Sequence, residues 1–433
     1  MPNKPSESGE SHSSFETSFD EHTGWHSLTS FWHLGVEPSR LFTALSDSPS
    51  WKADEEPRMI GDSEDRAVSF GFPDGSRAYF ELIKLGSALV RLNLSHEQIK
   101  EAAALPLIAE YWNNVVAGLA TRLSSQPIAV ASAPGKINLY FGVGALREDG
   151  YHQVASLYQA LNLREYVVAT DALDWRVSVT GSLPEQHLAG VPTDKSNLVV
   201  ESAWFVAAEA GIENPAPTSF AIQKHVPVAG GMGGGSADAA AALLAINDLW
   251  CTGISPKKLR ESAGALGADV PFALMGETAI GKGIGDKLEL VADLPTFHWV
   301  LVPNEFGLST PSVYAKLDEL RAARGVDPTT VAKAKVPAAL LDALKSGDPN
   351  AVAPLLHNDL QEAALALRPE LATLLQAGID AGALAAMVSG SGPTLALLAA
   401  NAADAHAIAL RMRLYASNAL ATSGPAAGAR IEQ

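Results

Sequence analysis

The rhythm of hydrophobic and polar positions changes three times along the chain. Residues 1–20 are rich in Ser and Glu and poor in aliphatics, which predicts a disordered tail. Pro38 suits the first turn of a short helix over residues 39–45. Residues 68–72 and 77–82 flank Pro73-Asp74-Gly75-Ser76, whose turn chemistry predicts a hairpin, and residues 88–94 alternate like a further strand. Ile108, Tyr111, Trp112, Val115, Val116, Leu119 and Leu123 then recur at helical spacing as one apolar stripe. Together they predict a small α+β module over residues 21–126 that can bury a small core without borrowing from the rest of the chain. Ser124-Ser125-Gln126-Pro127 reads as a linker.

Past the linker, apolar runs at residues 128–133 and 136–143 predict two strands separated by Ala133-Pro134-Gly135, and strand and helix patterns alternate to about residue 290. A new region opens near Phe297 with a strand over residues 298–303. It continues through helices rich in Ala and Leu and then a strand at residues 385–388. The turn Ser389-Gly390-Ser391-Gly392-Pro393, a strand at residues 394–398 and a helix from about Ala402 complete it. Residues 127–296 and 297–433 are thus read as two further domains, in keeping with a chain of 433 residues, 47% of them hydrophobic. No internal repeat is visible.

Within the second region lies Pro227-Val228-Ala229-Gly230-Gly231-Met232-Gly233-Gly234-Gly235-Ser236-Ala237-Asp238, followed by Ala239-Ala240-Ala241-Ala242-Leu243-Leu244. The glycines permit backbone angles and close approaches that a Cβ forbids, and the Ala/Leu run is a strong helix former. A glycine loop is thereby delivered onto a helix N-terminus, where unpaired N–H groups and the positive end of the helix dipole favour phosphate. A Walker A loop would need Lys-Ser/Thr after the last glycine, but Gly235 is followed by Ser236-Ala237. A dinucleotide fingerprint would open the first βαβ unit, whereas this loop lies in mid-chain. A flexible linker is the bland alternative; linkers are not normally bounded by an amphipathic β segment and a long apolar helix.

The net charge of −17 argues against nucleic acid as a partner, because phosphate backbones are met by basic faces. An anionic nucleotide must then be held by local features: a helix end, a placed lysine and a divalent cation. The single cysteine, Cys251, excludes an intramolecular disulfide framework and fits a reducing compartment. No stretch approaches the ~20 apolar residues of a membrane span, and no basic-then-apolar leader is present. A soluble, cytoplasmic protein, monomeric or homodimeric, is expected. His22 and His26 are spaced i, i+4, but with no cysteine nearby a zinc site is not expected. Lys282-Gly283-Ile284-Gly285-Asp286 superficially resembles a nucleotide loop and is read as a hairpin turn.

Three segments in order resemble the GHMP kinases, the superfamily of galactose, homoserine, mevalonate and phosphomevalonate kinases. They are Ala133-Pro134-Gly135-Lys136-Ile137-Asn138-Leu139, the glycine loop, and Val388-Ser389-Gly390-Ser391-Gly392-Pro393. Arg147-Glu148-Asp149-Gly150-Tyr151-His152, Leu266-Gly267-Ala268-Asp269-Val270-Pro271-Phe272 and Thr310-Pro311-Ser312-Val313-Tyr314 resemble the branch that phosphorylates a cytidylylated sugar alcohol in the non-mevalonate route to isoprenoids. The resemblance runs from about Ile128 to the C-terminus. It implies an α+β fold, a two-domain GHMP kinase preceded by the small module, with the active site in the cleft between the two domains. Family members usually begin close to the first motif, so the preceding region is a departure.

Carried over motif by motif, the resemblance implies that Asp269 is the catalytic base and Lys136 its lysine partner. Pro227, Val228, Ala229, Gly230, Gly231, Met232, Gly233, Gly234, Gly235, Ser236 and Ala237 correspond to the ATP phosphate loop. Asn138, Tyr151 and His152 match positions around the cytidine end of the substrate, and Tyr314 an aromatic against the base. Asp269 can accept the hydroxyl proton, while Lys136 keeps that carboxylate ionised and stabilises developing charge. Read without the family, Lys136 is a solvated strand-end lysine, Asp269 a helix N-cap and Tyr151-His152 part of a turn. ATP as co-substrate and Mg²⁺ are implied, with Ser236 a possible ligand and the other metal residues unassigned. Two other readings are a different small-molecule kinase of the superfamily, acting on homoserine or mevalonate, and a non-catalytic nucleotide sensor on the same fold. Tyr151-His152 and the Leu266 to Phe272 segment count against the first, and retention of both Lys136 and Asp269 against the second. The N-terminal module, by its order of helix, hairpin, strand and long amphipathic helix, resembles a shortened START-like helix-grip domain. That resemblance implies a groove below the long helix for a hydrophobic ligand or partner; a structural appendage is the alternative.

Overall fold

The computed structural model describes residues 15–20, 23–36, 38–46, 58–63, 67–72, 74–86, 89–123, 128–148, 150–228, 230–283, 285, 287–304 and 306–432. The N-terminal module is a six-stranded antiparallel sheet with two helices. In chain order its elements are β1 (Glu16–Asp20), β2 (Trp25–Leu34), α1 (Pro38–Ser46), β3 (Arg58–Ser63), β4 (Ala67–Gly71), β5 (Arg77–Gly86), β6 (Leu89–Ile99) and α2 (Leu105–Leu123). The sheet order is β1-β2-β6-β5-β4-β3. The hairpin around residues 74–76 joins β4 to β5, and the stripe of α2 forms: Trp112, Val115, Val116 and Leu119 are buried with Leu28, Phe80, Leu92 and Leu94 of the sheet. One expectation fails. Residues 16–20, assigned to a disordered tail, make edge strand β1 on β2, because an exposed edge needs backbone pairing rather than apolar side chains. His22 and the 124–127 linker lie outside the described residues.

His96 of β6 shows how tightly this module is packed. Its Nδ1 accepts the Trp112 indole N–H at 3.0 Å, its Nε2 faces Ser76 Oγ at 2.9 Å, and its ring stacks on Phe72. Burial lowers its pKa from 6.5 to about 4, opposed in part by Asp74. Accepting at Nδ1 requires a neutral ring. The folded pKa is depressed, so this contribution is complete above the unfolded value near 6.5 and is lost as pH falls toward 4, by ~3 kcal/mol at the limit. Hydrogen exchange across α2 should therefore lose protection between pH 7 and pH 4.5, after correction for intrinsic rates, and lose less in His96→Gln. Unchanged protection in the wild type would contradict this.

The remainder holds two more sheets. The larger is built from β7 (Ile128–Leu146), β8 (His152–Asp171), β9 (Arg176–Gly181), β10 (Thr218–Lys224), β11 (Thr278–Lys282) and β12 (Lys287–Val291), in the order β12-β11-β8-β10-β9 with β7 also on β8. Residues 128–133 and 136–143 were expected as separate strands. They form one strand, β7, because the Pro134-Gly135 step is absorbed as a bulge between Pro134 and Lys136 against β8. Besides the short α3 (Glu185–Leu188) and α6 (Pro256–Ser262), three helices matter to the site: α4 (Leu198–Ala210), α5 (Gly234–Leu249) and the short α7 (Val270–Met275). Of these, α4 and α5 cover one face, where the Ala/Leu run of α5 is almost wholly buried with Val167, Phe220 and Ile222.

The third sheet is antiparallel, β15-β16-β13-β17, from β13 (Phe297–Val302), β15 (Ala385–Val388), β16 (Leu395–Ala399) and β17 (Leu420–Gly424). Chain from this region returns to the larger sheet: β14 (His357–Asn358) and β18 (Arg430–Ile431) both pair with β7. The two halves of the kinase-like region are therefore laced together on one long strand. Among the described residues no helix is long and apolar enough to cross a membrane.

Candidate active site

The glycine loop leaves the end of β10 and enters α5 at Gly234, with Gly233 at the N-cap and no side chain capping the first turn. The N–H groups there are left for a ligand. Gly231 explains why the sequence is so glycine-rich. Its φ is +75°, and a Cβ would lie 2.4 Å from the Ser389 carbonyl oxygen, so the loop is pressed against the turn of residues 389–393. That turn is fixed in turn by Asn358, whose Nδ2 donates to the carbonyls of Val388 and Gly390 at 2.8 and 2.7 Å. Ala229 lies outside the described residues. Met232 is different in kind from the glycines: its side chain is a core residue and its carbonyl accepts the Lys136 N–H. Ala237 likewise belongs to the core beneath α5.

Lys136, just past the bulge in β7, is 7% exposed, so it is not a solvated strand-end lysine. Its Nζ donates to Gly231 O at 2.8 Å and Asn138 Oδ1 at 3.0 Å, and stands 3.6 Å from Asp269 Oδ2. Asp269 occupies the N-cap position of α7 but makes no capping hydrogen bond there; its carboxylate faces Lys136 and is partly open to solvent. Lys136 and Asp269, 133 positions apart in sequence, are thus brought together beside the glycine loop. Asn138 is buried with Nδ2 donating to Ser156 Oγ at 2.7 Å, so both of its polar ends are engaged in orienting Lys136.

Beside the turn of residues 389–393, α8 (Thr310–Ala323) begins with Thr310 Oγ1 bonded to Ser391 Oγ at 2.9 Å and presents Tyr314. The Tyr314 ring stacks on His152 with centroids 5.1 Å apart and an interplanar angle of 27°. Burial, and secondarily the Asp269 charge, raise the Tyr314 phenol above its usual range, which puts the stack and the carboxylate in one field. His152 Nε2 is 3.0 Å from Asp318 Oδ1. Tyr151 is not in the stack; it is 63% exposed.

Beneath the loop is a group that no motif suggested. Lys224, at the end of β10, is buried between Glu165 (2.7 Å) and Asp238 (2.6 Å), the latter on the first turns of α5. Burial pushes both carboxyls up, and against the lowering effect of burial the two carboxylates keep Lys224 protonated. The His225 N–H donates to Glu165 Oε2 at 2.8 Å. A Cβ on Gly234 would lie 3.1 Å from Glu165 Oε1 and 3.4 Å from Lys224 Nζ. The signal that could have found this trio was Asp238 itself, a lone acid at the start of an otherwise apolar helix. For a metal ion, Asp238 is turned to Lys224, which leaves the partly exposed Asp269 carboxylate and the hydroxyl of Ser236 on the first turn of α5. Mg²⁺ keeps several waters and takes few protein ligands alongside substrate phosphates, and this sparse set fits it. Among the described residues there is no cluster of three His, Cys, Asp or Glu side chains with metal-holding geometry.

Comparison with known proteins points the same way. The family model for the GHMP kinases N terminal domain matches residues 197–277, and that for GHMP kinases C terminal matches residues 340–418. The chain is 49% identical over 240 residues to a 4-diphosphocytidyl-2-C-methyl-D-erythritol kinase of Nocardia farcinica, covering 55% of this chain and 74% of that one. It is 46% identical over 314 residues to the protein of that name from Arthrobacter sp., covering 72% of this chain and 96% of that one. Among solved structures, a 4-(cytidine 5'-diphospho)-2C-methyl-D-erythritol kinase is similar at a TM-score of 0.55 and 28% identity, covering 68% of this chain and 98% of the other. The L. major mevalonate kinase in complex with R-mevalonate, at a TM-score of 0.53 and 16% identity, shares the fold.

Proposed function

The chain belongs to the 4-diphosphocytidyl-2-C-methyl-D-erythritol kinases, within the GHMP kinases, and from that premise we propose how its cleft performs the transfer. The reaction is ATP-dependent phosphorylation of a hydroxyl of 4-diphosphocytidyl-2-C-methyl-D-erythritol, a step of the non-mevalonate route to isoprenoid precursors. The glycine loop and the uncapped start of α5 bind the ATP phosphates, with backbone N–H groups as donors. Asp269 takes the proton of the attacking hydroxyl. Lys136, 3.6 Å from that carboxylate, ties the base through its bond to Gly231 O to the loop that carries the γ-phosphate. Little covalent chemistry is asked of a kinase beyond this placement and charge stabilisation. The Ser236 hydroxyl would be a ligand for Mg²⁺, which would supply charge neutralisation at the phosphates when bound.

The observation that carries this reading is the Lys136 ammonium, shared between the glycine loop and Asp269, with the His152–Tyr314 stack in the field of that carboxylate. A coupled ADP-release assay of the full chain should give turnover with the cytidylylated substrate and none above background with homoserine or mevalonate. Comparable rates with either of the latter would overturn the substrate assignment.

The cytosine end makes a separate prediction. Tyr314, stacked on His152 and half-buried, carries the ring contact, whereas Tyr151 stands exposed outside the stack. Tyr314→Ala is expected to raise KM for the cytidylylated substrate about fivefold, one stacking contact being worth ~1 kcal/mol. KM for ATP should change less than twofold, and Tyr151→Ala should have the smaller effect. Equal effects of Tyr314→Ala on both substrates would mean that the cleft as a whole had collapsed.

A further inference from the structure

The N-terminal module is docked on the kinase, and the contact has two parts. Leu85 and Leu89 are buried against Val130, Val168 and Ala221 of the larger sheet. Beside that apolar patch a cavity of about 890 Å³ separates the facing surfaces, lined on one side by Phe31, Tyr79 and Arg91 and on the other by Arg164, Tyr166 and His225. Arg91 of β6 crosses between them. Its Nη1 donates to Gln223 Oε1 at 2.6 Å and its Nε to Asn93 Oδ1 at 2.7 Å. The guanidinium lies 4.0 Å above the Phe31 ring and 5.9 Å from that of Tyr166, and Phe31 meets Tyr166 edge-on at 5.1 Å. His33, kept neutral by burial and by Arg91, neighbours the same Gln223 side chain.

What Arg91 grips matters for the loop. Gln223 and Tyr166 are directly opposed in the β10–β8 register. One residue further along each strand come Lys224 and Glu165, whose side chains, by the alternation of a strand, point to the opposite face. There they close the Glu165–Lys224–Asp238 trio under Gly234. The module thus clamps one face of a cross-strand pair whose immediate neighbours, on the other face, seat the helix that ends the glycine loop.

We propose that Arg91 is a positioning residue for the nucleotide site: by fixing Gln223 and Tyr166 it holds Lys224 and Glu165 in register beneath α5, so that the N-terminal module sets ATP affinity. This rests on the reading of the glycine loop as the phosphate site. No motif of the kinase region supplies such a residue; it comes from the extra module.

In the full chain, Arg91→Ala should raise the ATP dissociation constant by calorimetry, and KM for ATP, roughly tenfold. Both kcat and KM for the cytidylylated substrate should stay within about twofold, a split that mere loosening of the fold would not produce. Gln223→Ala should have a similar effect, and the double variant should be no worse than either single one. Leu89→Ala, which weakens docking without touching Gln223, should lower Tm while leaving ATP affinity at the wild-type value. Wild-type ATP affinity in Arg91→Ala would overturn the proposal. So would additive effects of the two polar substitutions, or an equal loss in Leu89→Ala. Should Gly234→Val also bind ATP normally, the phosphate-loop reading itself falls; normal binding in Arg91→Ala with lost binding in Gly234→Val removes only the coupling.

Discussion

Asp269→Asn is expected to lower kcat by ~10²–10⁴, the usual cost of losing a general base, while ATP affinity stays within a few-fold of wild type. The second half of that expectation comes from the partners of Lys136. Its ammonium keeps the Gly231 carbonyl and Asn138 Oδ1 when the carboxylate becomes an amide, so the lysine stays against the loop and the loop keeps its shape. The amide also matches the carboxylate in size, and Asp269 makes no capping bond to α7 that could be lost. A fall in kcat without a matching rise in KM for ATP therefore isolates the proton-accepting role. Pre-steady-state ADP release measured with saturating ATP and the cytidylylated substrate decides it: an unchanged rate in the Asn variant would remove Asp269 from the chemistry.

The glycine loop and the helix behind it could be read from the chain because their physics is local: glycine where a Cβ collides, alanine and leucine where a helix is buried. The same holds for α2, whose apolar stripe is periodic within one element. What escaped was pairing across distance that no family motif carries. Lys224 reads as the polar end of a strand, and Glu165 and Asp238 as unrelated acids; only the packing of β8, β10 and α5 reveals one buried charge set. Asp318 as partner to His152 is of the same kind. Pro134-Gly135 reads as a break because proline and glycine punctuate most strands, yet a long strand can carry both at a bulge. The module's core was visible as an independent unit. Its docking was not, since Leu85 and Leu89 fit the pattern of its own strands as well as they fit the kinase surface. The module keeps a core of its own, yet cutting it away would expose Val130, Val168 and Ala221.

Gly234→Val should abolish detectable ATP binding, and the structure changes the reason. From sequence, the β-branched side chain would obstruct the approach of phosphate to the backbone. In the fold, the first added carbon points down into the buried trio, 3.1 Å from Glu165 Oε1 and 3.4 Å from Lys224 Nζ. Glu165 has little freedom to retreat, being held by Lys224 at 2.7 Å and by the His225 N–H at 2.8 Å. Two further γ-carbons must therefore lift the first turn of α5 away from β10, tilting the N–H groups that face the phosphates. Overpacking of this kind costs ~1–3 kcal/mol, so the variant should fold with a lowered Tm. Gly235→Ala is the matched control: its Cβ would meet only Leu198, at 3.6 Å, and ATP affinity and Tm should both remain near wild type. Titration calorimetry of the two variants separates the cases. Wild-type affinity in Gly234→Val would reduce the loop to a structural turn, whereas equal loss in both variants would mean that any side chain on this turn, and not displacement of the helix start, blocks the nucleotide.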